Sequence, residues 1–279
     1  MIRWKRLLAR AMVLFSIIVM HAVRADPESL VIAGSTTLYP LSSQLASAYQ
    51  RSRDDVEVSV ASGGSAQGIK ALIAGEVQIA NSSRFINEKE LESARRAGVY
   101  PVPFRLADDC IIPIVNQRNR LRNLSREQLR GIFRGDIGNW REVGGEDRPI
   151  KVISRRADSG TFGVWRDLVM SGSNVREDAR LVDDQSQMVR AVSTEADAIG
   201  YIALGHLSAR IKPLRVDGVM GSLNSVKDGR YPLTRPLFMF TRGWPGGALL
   251  EFINFALDPA GGQVIVRQGG FVPVHEGTR

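Results

Sequence analysis

Ser29-Leu30-Val31-Ile32-Ala33-Gly34-Ser35-Thr36-Thr37-Leu38-Tyr39-Pro40-Leu41 is the stretch that decides the fold class. Ser29 to Ala33 reads as a short apolar strand and Gly34-Ser35-Thr36-Thr37 as a turn. Pro40 suits the first position of a helix, where a missing N–H costs nothing. Leu41, Leu45 and Ala48 then recur at helical spacing. The same order of strand, turn and helix recurs along the chain with different sequences. Val56 to Val60 alternates like a strand and leads through Ser62-Gly63-Gly64-Ser65 into a helix carrying Ile69, Leu72 and Ile73 on one face. Val77 to Ala80 is a strand ending in Asn81-Ser82-Ser83-Arg84, and Ile150 to Ser154 another, after which Ser159 opens a helix with Phe162, Trp165 and Leu168. Ala198 to Ala203 and Leu237 to Thr241 are later strands. Helices are expected around Met188 to Val192 and near 247–257 and 259–268. Asn87 with Glu90 and Ser125 with Gln128 have capping-box spacing, and Gly98 and Gly135 end those two helices. Such alternation predicts an α/β fold of mainly parallel sheets covered by helices. There is no internal repeat and no low-complexity linker, so a chain with two domains would pass between them on ordered strands.

The 279 residues allow two modest domains or one large one. Residues 1–25 stand apart. Arg3, Lys5, Arg6 and Arg10 form a basic start, Ala11 to Met20 is apolar apart from Ser16, and Val23-Arg24-Ala25 offers small residues for cleavage. This is the pattern of a secretory signal peptide. A membrane anchor is the rival reading, but the run falls short of the roughly 20 apolar residues that a spanning helix needs. The expected product is a soluble, exported, periplasmic chain cut near Ala25-Asp26. The formal charge is +8, of which residues 1–25 carry five Lys or Arg and no acid, leaving about +3. That is too weak to indicate nucleic-acid binding. Cys110 is the only cysteine, so no intramolecular disulfide forms. In Cys110-Ile111-Ile112-Pro113-Ile114-Val115 it reads as a core thiol.

Three turns share one composition: Gly34-Ser35-Thr36-Thr37, Gly63-Gly64-Ser65 and Ser159-Gly160-Thr161. Each places hydroxyls and free backbone N–H groups at a helix start, where the partial positive charge favours anions. Arg84 and Arg155 lie beside such turns, and a guanidinium grips oxyanions in bidentate fashion. Asp158 is near enough in sequence to pin Arg155. Ser and Thr are also the commonest N-caps, so any one of these turns alone reads as a plain cap. Their joint position at carboxyl ends of strands, where open α/β sheets bind ligands, favours a site. Catalytic readings are weak. His206 and His275 lack metal-ligand spacing, His21 belongs to the signal, and there is no Gly-x-Ser-x-Gly elbow. No cofactor or metal is expected. Asp108-Asp109 reads as a strand-entry turn, Asp183-Asp184 as a solvated helix start, and Trp140, Trp165 and Trp244 as packing residues.

Gly34-Ser35-Thr36-Thr37-Leu38-Tyr39-Pro40-Leu41 resembles the opening motif of periplasmic phosphate-binding proteins of ABC transporters. Gly64-Ser65-Ala66-Gln67-Gly68-Ile69 is similar to their second phosphate loop, and Ser82-Ser83-Arg84 to the third. Asn116 to Asn119, Gln128-Leu129 through Asn139-Trp140-Arg141-Glu142-Val143-Gly144-Gly145, Arg155 to Thr161, Ala198-Ile199-Gly200-Tyr201 and Tyr231 to Leu237 extend the likeness in family order. The resemblance implies a two-lobed type II periplasmic-binding fold with two crossing strands as hinge. Residues 27–111 and 237–279 would form one lobe and 112–236 the other. It implies phosphate contacts from Ser35, Thr36, Thr37, Ser65, Ser83 and Arg84, from the Leu38 backbone, and from Arg155, Ser159, Gly160 and Thr161. It implies a monomer that delivers phosphate, or a similar tetrahedral oxyanion, to a membrane permease and ATPase. An anion-sensing signalling protein, or a phosphatase-like or adhesive protein on the same scaffold, are the alternatives. Two departures matter. Some members carry an aspartate where Ser83 falls, and its carboxylate helps them reject sulfate, so phosphate and sulfate both stay open here. The loop Arg155-Arg156-Ala157-Asp158-Ser159 lacks a glycine that many members place before the serine, which leaves Arg155 or Arg156 as the contact.

Overall fold

The computed structural model describes residues 28–53 and 55–275. The signal peptide expected in residues 1–25 lies outside them. Twelve strands are described: β1 Glu28–Gly34, β2 Val56–Ser62, β3 Ile79–Ser82, β4 Pro101–Asn116, β5 Asn123–Leu124, β6 Lys151–Arg155, β7 Arg180–Val182, β8 Ala198–Ala203, β9 Ile211–Pro213, β10 Arg215–Val216, β11 Thr234–Arg242 and β12 Val272–Pro273. The α-helices are α1 Tyr39–Gln50, α2 Ser65–Ala74, α3 Glu88–Arg96, α4 Arg126–Arg134, α5 Gly160–Leu168, α6 Gln185–Thr194, α7 Leu223–Lys227, α8 Gly247–Leu257 and α9 Gly262–Gln268.

The local signals act as expected. Asn87 and Ser125 cap α3 and α4 with reciprocal bonds to Glu90 and Gln128, and Gly135 closes α4 in the left-handed conformation. Pro40 stands in the first turn of α1, which buries Leu41, Leu45 and Tyr49. Gly68 lets α2 lie directly on β1, since a Cβ there would meet Gly34 Cα at 2.6 Å. That contact sets the loops after β1 and β2 side by side.

The main sheet runs β2-β1-β3-β11-β4-β8-β6-β7. It is mixed, not mainly parallel as the alternation suggests. β1, β2 and β3 pair parallel, as do β6, β7 and β8, but β11 and β4 run antiparallel to their neighbours. The path is continuous only through the 16-residue β4. As far as Cys110 that strand pairs with β11, and from Ile111 onward with β8 and then β9. Residues Cys110 to Asn116 are buried without interruption, the burial expected of a strand covered on both faces. Asp109 lies inside this strand, fully buried. It is therefore not part of a turn, because its charge is matched within the strand layer by Arg235.

Two large apolar clusters flank the change of partners. One gathers Leu30, Ile32, Leu41, Leu45, Leu106, Leu237, Phe252 and Val266 beneath α1, α8 and α9. The other gathers Ile112, Phe133, Trp165, Met188, Ile199 and Tyr201 among α4, α5, α6 and β8. In it Trp165 stacks on Tyr201 at 4.3 Å between centroids. A smaller cluster of Ile69, Leu72, Phe238 and Phe240 lies under α2. Trp140 and Trp165 are core residues, as expected. Trp244 is not: it is 78% exposed at the end of β11, with Phe104 as its only aromatic neighbour among the described residues, because the sheet ends there. Among the described residues no single helix is long and apolar enough to cross a membrane.

Candidate functional site

Strand ends β1, β2, β3 and β6, with the start of α6, bring their loops to one place between the two large clusters. α1 and α2 begin there without side-chain caps, the Leu38 and Tyr39 N–H groups donating to Ser35 O at 3.1 Å and the Ala66 N–H to Asp158 O at 3.2 Å. α5 begins there with Ser159 Oγ accepting from the Phe162 N–H at 3.3 Å. The predicted residues Ser35, Thr37, Leu38, Ser65, Ser83, Arg155, Ser159 and Thr161 are all buried, and Thr36 is partly so.

The loops touch across the junction. Thr37 and Thr161 hydroxyls lie 3.1 Å apart. Arg155 Nη2 donates to Thr36 Oγ1 at 3.0 Å. A Cβ on Gly160 would come within 2.3 Å of Ser65 Oγ and 2.6 Å of Ser83 Oγ, so the α5 backbone sits against both serines. Ser65 Oγ in turn accepts from the Ser83 N–H at 3.1 Å. At the rim Gln67 Nε2 donates to Asp158 Oδ2 at 2.8 Å, and the Ala66 N–H to Asp158 O at 3.2 Å. Asp158 thus holds the opposite loop; contrary to what its place in the sequence suggests, it does not hydrogen-bond Arg155, because its carboxylate is taken by Gln67.

The two candidate arginines after β6 separate clearly. Arg156 is exposed and paired with Asp183, an ion pair that raises the Arg156 pKa and lowers that of Asp183. Arg155 is 2% exposed. Its Nε donates to Val182 O at 3.2 Å and its Nη2 to Asp183 O at 2.6 Å, both carbonyls. No carboxylate hydrogen-bonds it, and burial pushes its pKa down. Arg155 Nη1 and Ser35 Oγ are buried with no hydrogen-bond partner among the described residues. A buried charge without a counter-charge is costly, so this guanidinium calls for an anion. Arg84 is placed differently. Its guanidinium forms a two-pronged pair with Glu90 at 2.7 and 2.6 Å and donates to Phe85 O at 2.9 Å, while its stem packs near Gly163.

Four more residues complete the site, none of them expected there from the sequence, which read Asp109 as part of a turn and gave His206 no ligand role. Arg235, on β11, is 3% exposed and pairs with Asp109 through Nε at 2.9 Å and Nη2 at 2.8 Å. Its Nη1 reaches Thr161 Oγ1 at 2.9 Å and Ser83 O at 3.3 Å. Gln185, the first residue of α6, donates to Thr37 Oγ1 at 2.9 Å. His206 Nε2 lies 3.1 Å from Thr37 O, and burial holds its pKa below the ordinary value. The available signals were faint: an acid next to an apolar run at Asp109, and an arginine within the family-like Arg235-Pro236-Leu237. The set is rich in hydroxyls, guanidinium and helix N-termini, and each nearby carboxylate (Asp109, Glu90, Asp158) is held by a donor of its own. Such chemistry suits a small, multiply charged oxyanion.

Comparison with known proteins agrees with this geometry. A model of the PBP superfamily domain matches residues 22–260. The phosphate-binding protein PstS of Bacillus subtilis is 30% identical over 248 residues, spanning 88% of this chain and 81% of that protein. Protein SphX of Synechococcus elongatus is 29% identical over 285 residues, 96% of this chain and 84% of its own. Among solved structures, a Clostridium perfringens protein assigned to phosphate ABC transport as a substrate-binding protein, with bound phosphate, superposes with a TM-score of 0.83 at 28% identity, covering 89% of this chain and all of that one. An ABC-type phosphate transport receptor from Vibrio cholerae gives 0.73 at 30% identity, over 87% and 99% of the two chains. The chain therefore belongs to the PBP superfamily and has its type II periplasmic-binding α/β fold.

Proposed function

We propose that the protein captures phosphate, or a closely similar tetrahedral oxyanion, between two lobes and hands it to the permease and ATPase of an ABC transporter, binding without catalysis. The observation that carries this is the buried Arg155 guanidinium, bonded among the described residues only to neutral oxygens, with its Nη1 and the Ser35 hydroxyl without a partner among them. The lobes are residues 27–111 with 237–279, and 112–236, hinged on two crossing strands, one of them where β4 changes partners. The names of the related proteins from Bacillus subtilis and Vibrio cholerae support the ligand and the role. Ser35, Thr36, Thr37, Ser65 and Ser83 hold the anion from the first lobe, with the Leu38 N–H shared between the anion and Ser35 O. Arg155, Ser159, Gly160 and Thr161 hold it from the second. Arg84 adds a cation at the margin, weakened as a ligand by its bond to Glu90. The mature protein is a soluble, exported monomer, released by cleavage after residue 25.

Titration calorimetry with phosphate and sulfate tests this, on the parent and on Arg155→Ala. A charge-assisted hydrogen bond contributes roughly 1.5–3 kcal/mol, so Arg155→Ala should lose about tenfold to a hundredfold in affinity. A parent that binds neither anion would overturn the reading. Equal affinity for sulfate would leave the site standing and broaden its ligand.

A further inference from the structure

Thr37 and Thr161 meet oxygen to oxygen at 3.1 Å, and the same two side chains serve both of them. Gln185 Nε2 lies 2.9 Å from Thr37 Oγ1 and 3.4 Å from Thr161 Oγ1. Arg235 Nη1 lies 2.9 Å from Thr161 Oγ1, and its Nη2 3.4 Å from Thr37 Oγ1. All four side chains are buried. The direction of these bonds is settled at their far ends. A guanidinium only donates, and Asp109 anchors this one. The Ala203 N–H points at Gln185 Oε1 at 3.4 Å, so Oε1 is the accepting end of the amide and Nε2 is left for the threonines.

A hydroxyl oxygen has two lone pairs and one proton. Donors from Gln185 and Arg235 compete for the lone pairs of both threonines, so at most one of the two protons is spent on the threonine-to-threonine bond and at least one is left for the ligand. We propose that Gln185 and Arg235 are positioning residues that set the specificity of the site: by filling the acceptor capacity of Thr37 and Thr161 they make these hydroxyls donors toward the bound oxyanion. The inference rests on the proposed reading of the cleft. The device sets direction without adding net charge, because Asp109 offsets Arg235 and Gln185 is neutral. It follows that this face of the site accepts bare oxyanion oxygens and disfavours a P–OH group, whose proton would face another proton.

Gln185 gives the clean test, since removing Arg235 would strand Asp109. Gln185→Met keeps the volume and removes the donor. Gln185→Glu keeps the shape and reverses the polarity, because a carboxylate accepts from both threonines and draws their protons away from the ligand. Calorimetry with inorganic phosphate and with sulfate compares each variant with the parent at the same pH, so that titration of phosphate itself cancels. Thermal melting confirms that each variant folds. Gln185→Met should lose about tenfold in affinity, independent of pH, and Gln185→Glu about a hundredfold near pH 8. The Gln185→Glu loss should shrink toward the Gln185→Met value as pH falls and the new carboxyl takes a proton and donates again. If Gln185 were only a clasp between the lobes, Gln185→Met would weaken sulfate, which carries no O–H, and phosphate by the same factor, and that equality would overturn the proposal. So would a Gln185→Met variant that binds like the parent. A parent that binds no oxyanion would overturn the reading of the site and this inference together.

Discussion

Replacing Gly160 with alanine should open the cleft without harming the fold. The glycine is not there for its backbone angle, as it sits in the first turn of α5. It is there because a Cβ would lie 2.3 Å from Ser65 Oγ, 2.6 Å from Ser83 Oγ and 2.9 Å from Ser65 Cβ. Ordinary contact begins near 3.4 Å, so the two walls must part by about 1 Å. That displacement takes the Thr37–Thr161 bond at 3.1 Å, the Arg155–Thr36 bond at 3.0 Å and the Gln67–Asp158 bond at 2.8 Å past useful length. Each such bond contributes roughly 0.5–1.5 kcal/mol net, so losing three costs roughly 1.5–4.5 kcal/mol. In affinity that is about tenfold to a thousandfold. Calorimetry with phosphate reads the loss, and small-angle scattering with saturating ligand reads the width of the cleft. Melting without ligand should hardly move, because alanine is the better helix former and separated lobes have no clash. A Gly160→Ala variant that bound phosphate within about threefold of the parent, well inside the expected loss, would refute the reasoning.

Asp109→Asn should lower stability by about 3–5 kcal/mol, because it strands a buried guanidinium; urea unfolding measures it, and an unchanged midpoint would count against a structural role for the pair. Arg84→Ala should weaken phosphate binding less than Arg155→Ala, since Glu90 already holds the Arg84 guanidinium at 2.6 Å; calorimetry of the two variants side by side decides the order. The unfolded imidazole of His206 takes up a proton near pH 6.5, whereas burial delays protonation of the folded one, so folding stability should fall as pH drops below about 6.5. His206→Gln should flatten that slope in melting curves taken from about pH 5 to pH 8, and an unchanged slope would assign it to other groups.

Much of the fold was legible because its signals are short-range. The capping boxes at Asn87 and Ser125, the helical spacing of Leu41 and Leu45, and the turns after β1 and β2 depend on residues a few positions apart, and all appear where expected. The strand that crosses between the two cores was only half visible. Its second part, Cys110 to Val115, is an apolar run, but Pro101 to Asp109 carries prolines and charges, and its last two residues, Asp108-Asp109, read as a turn. Those residues are held in the sheet by β11, which lies more than a hundred residues away in sequence. The antiparallel setting of β4 and β11 was hidden for the same reason, since periodicity reports a strand and not its partner.

The candidate site divides along the same line. Its hydroxyl-rich turns could be named from composition, because glycine, serine and threonine at a helix start have the same chemistry whatever surrounds them. Arg235 and Asp109, 126 residues apart, and Gln185 and Thr37, 148 apart, carry no mark of each other in the chain. The choice of Arg155 over Arg156 and the diversion of Arg84 to Glu90 are also invisible there. Each depends on which side chain is removed from water and which finds a partner, and desolvation and charge pairing are decided only when distant strands close over the same few cubic ångströms.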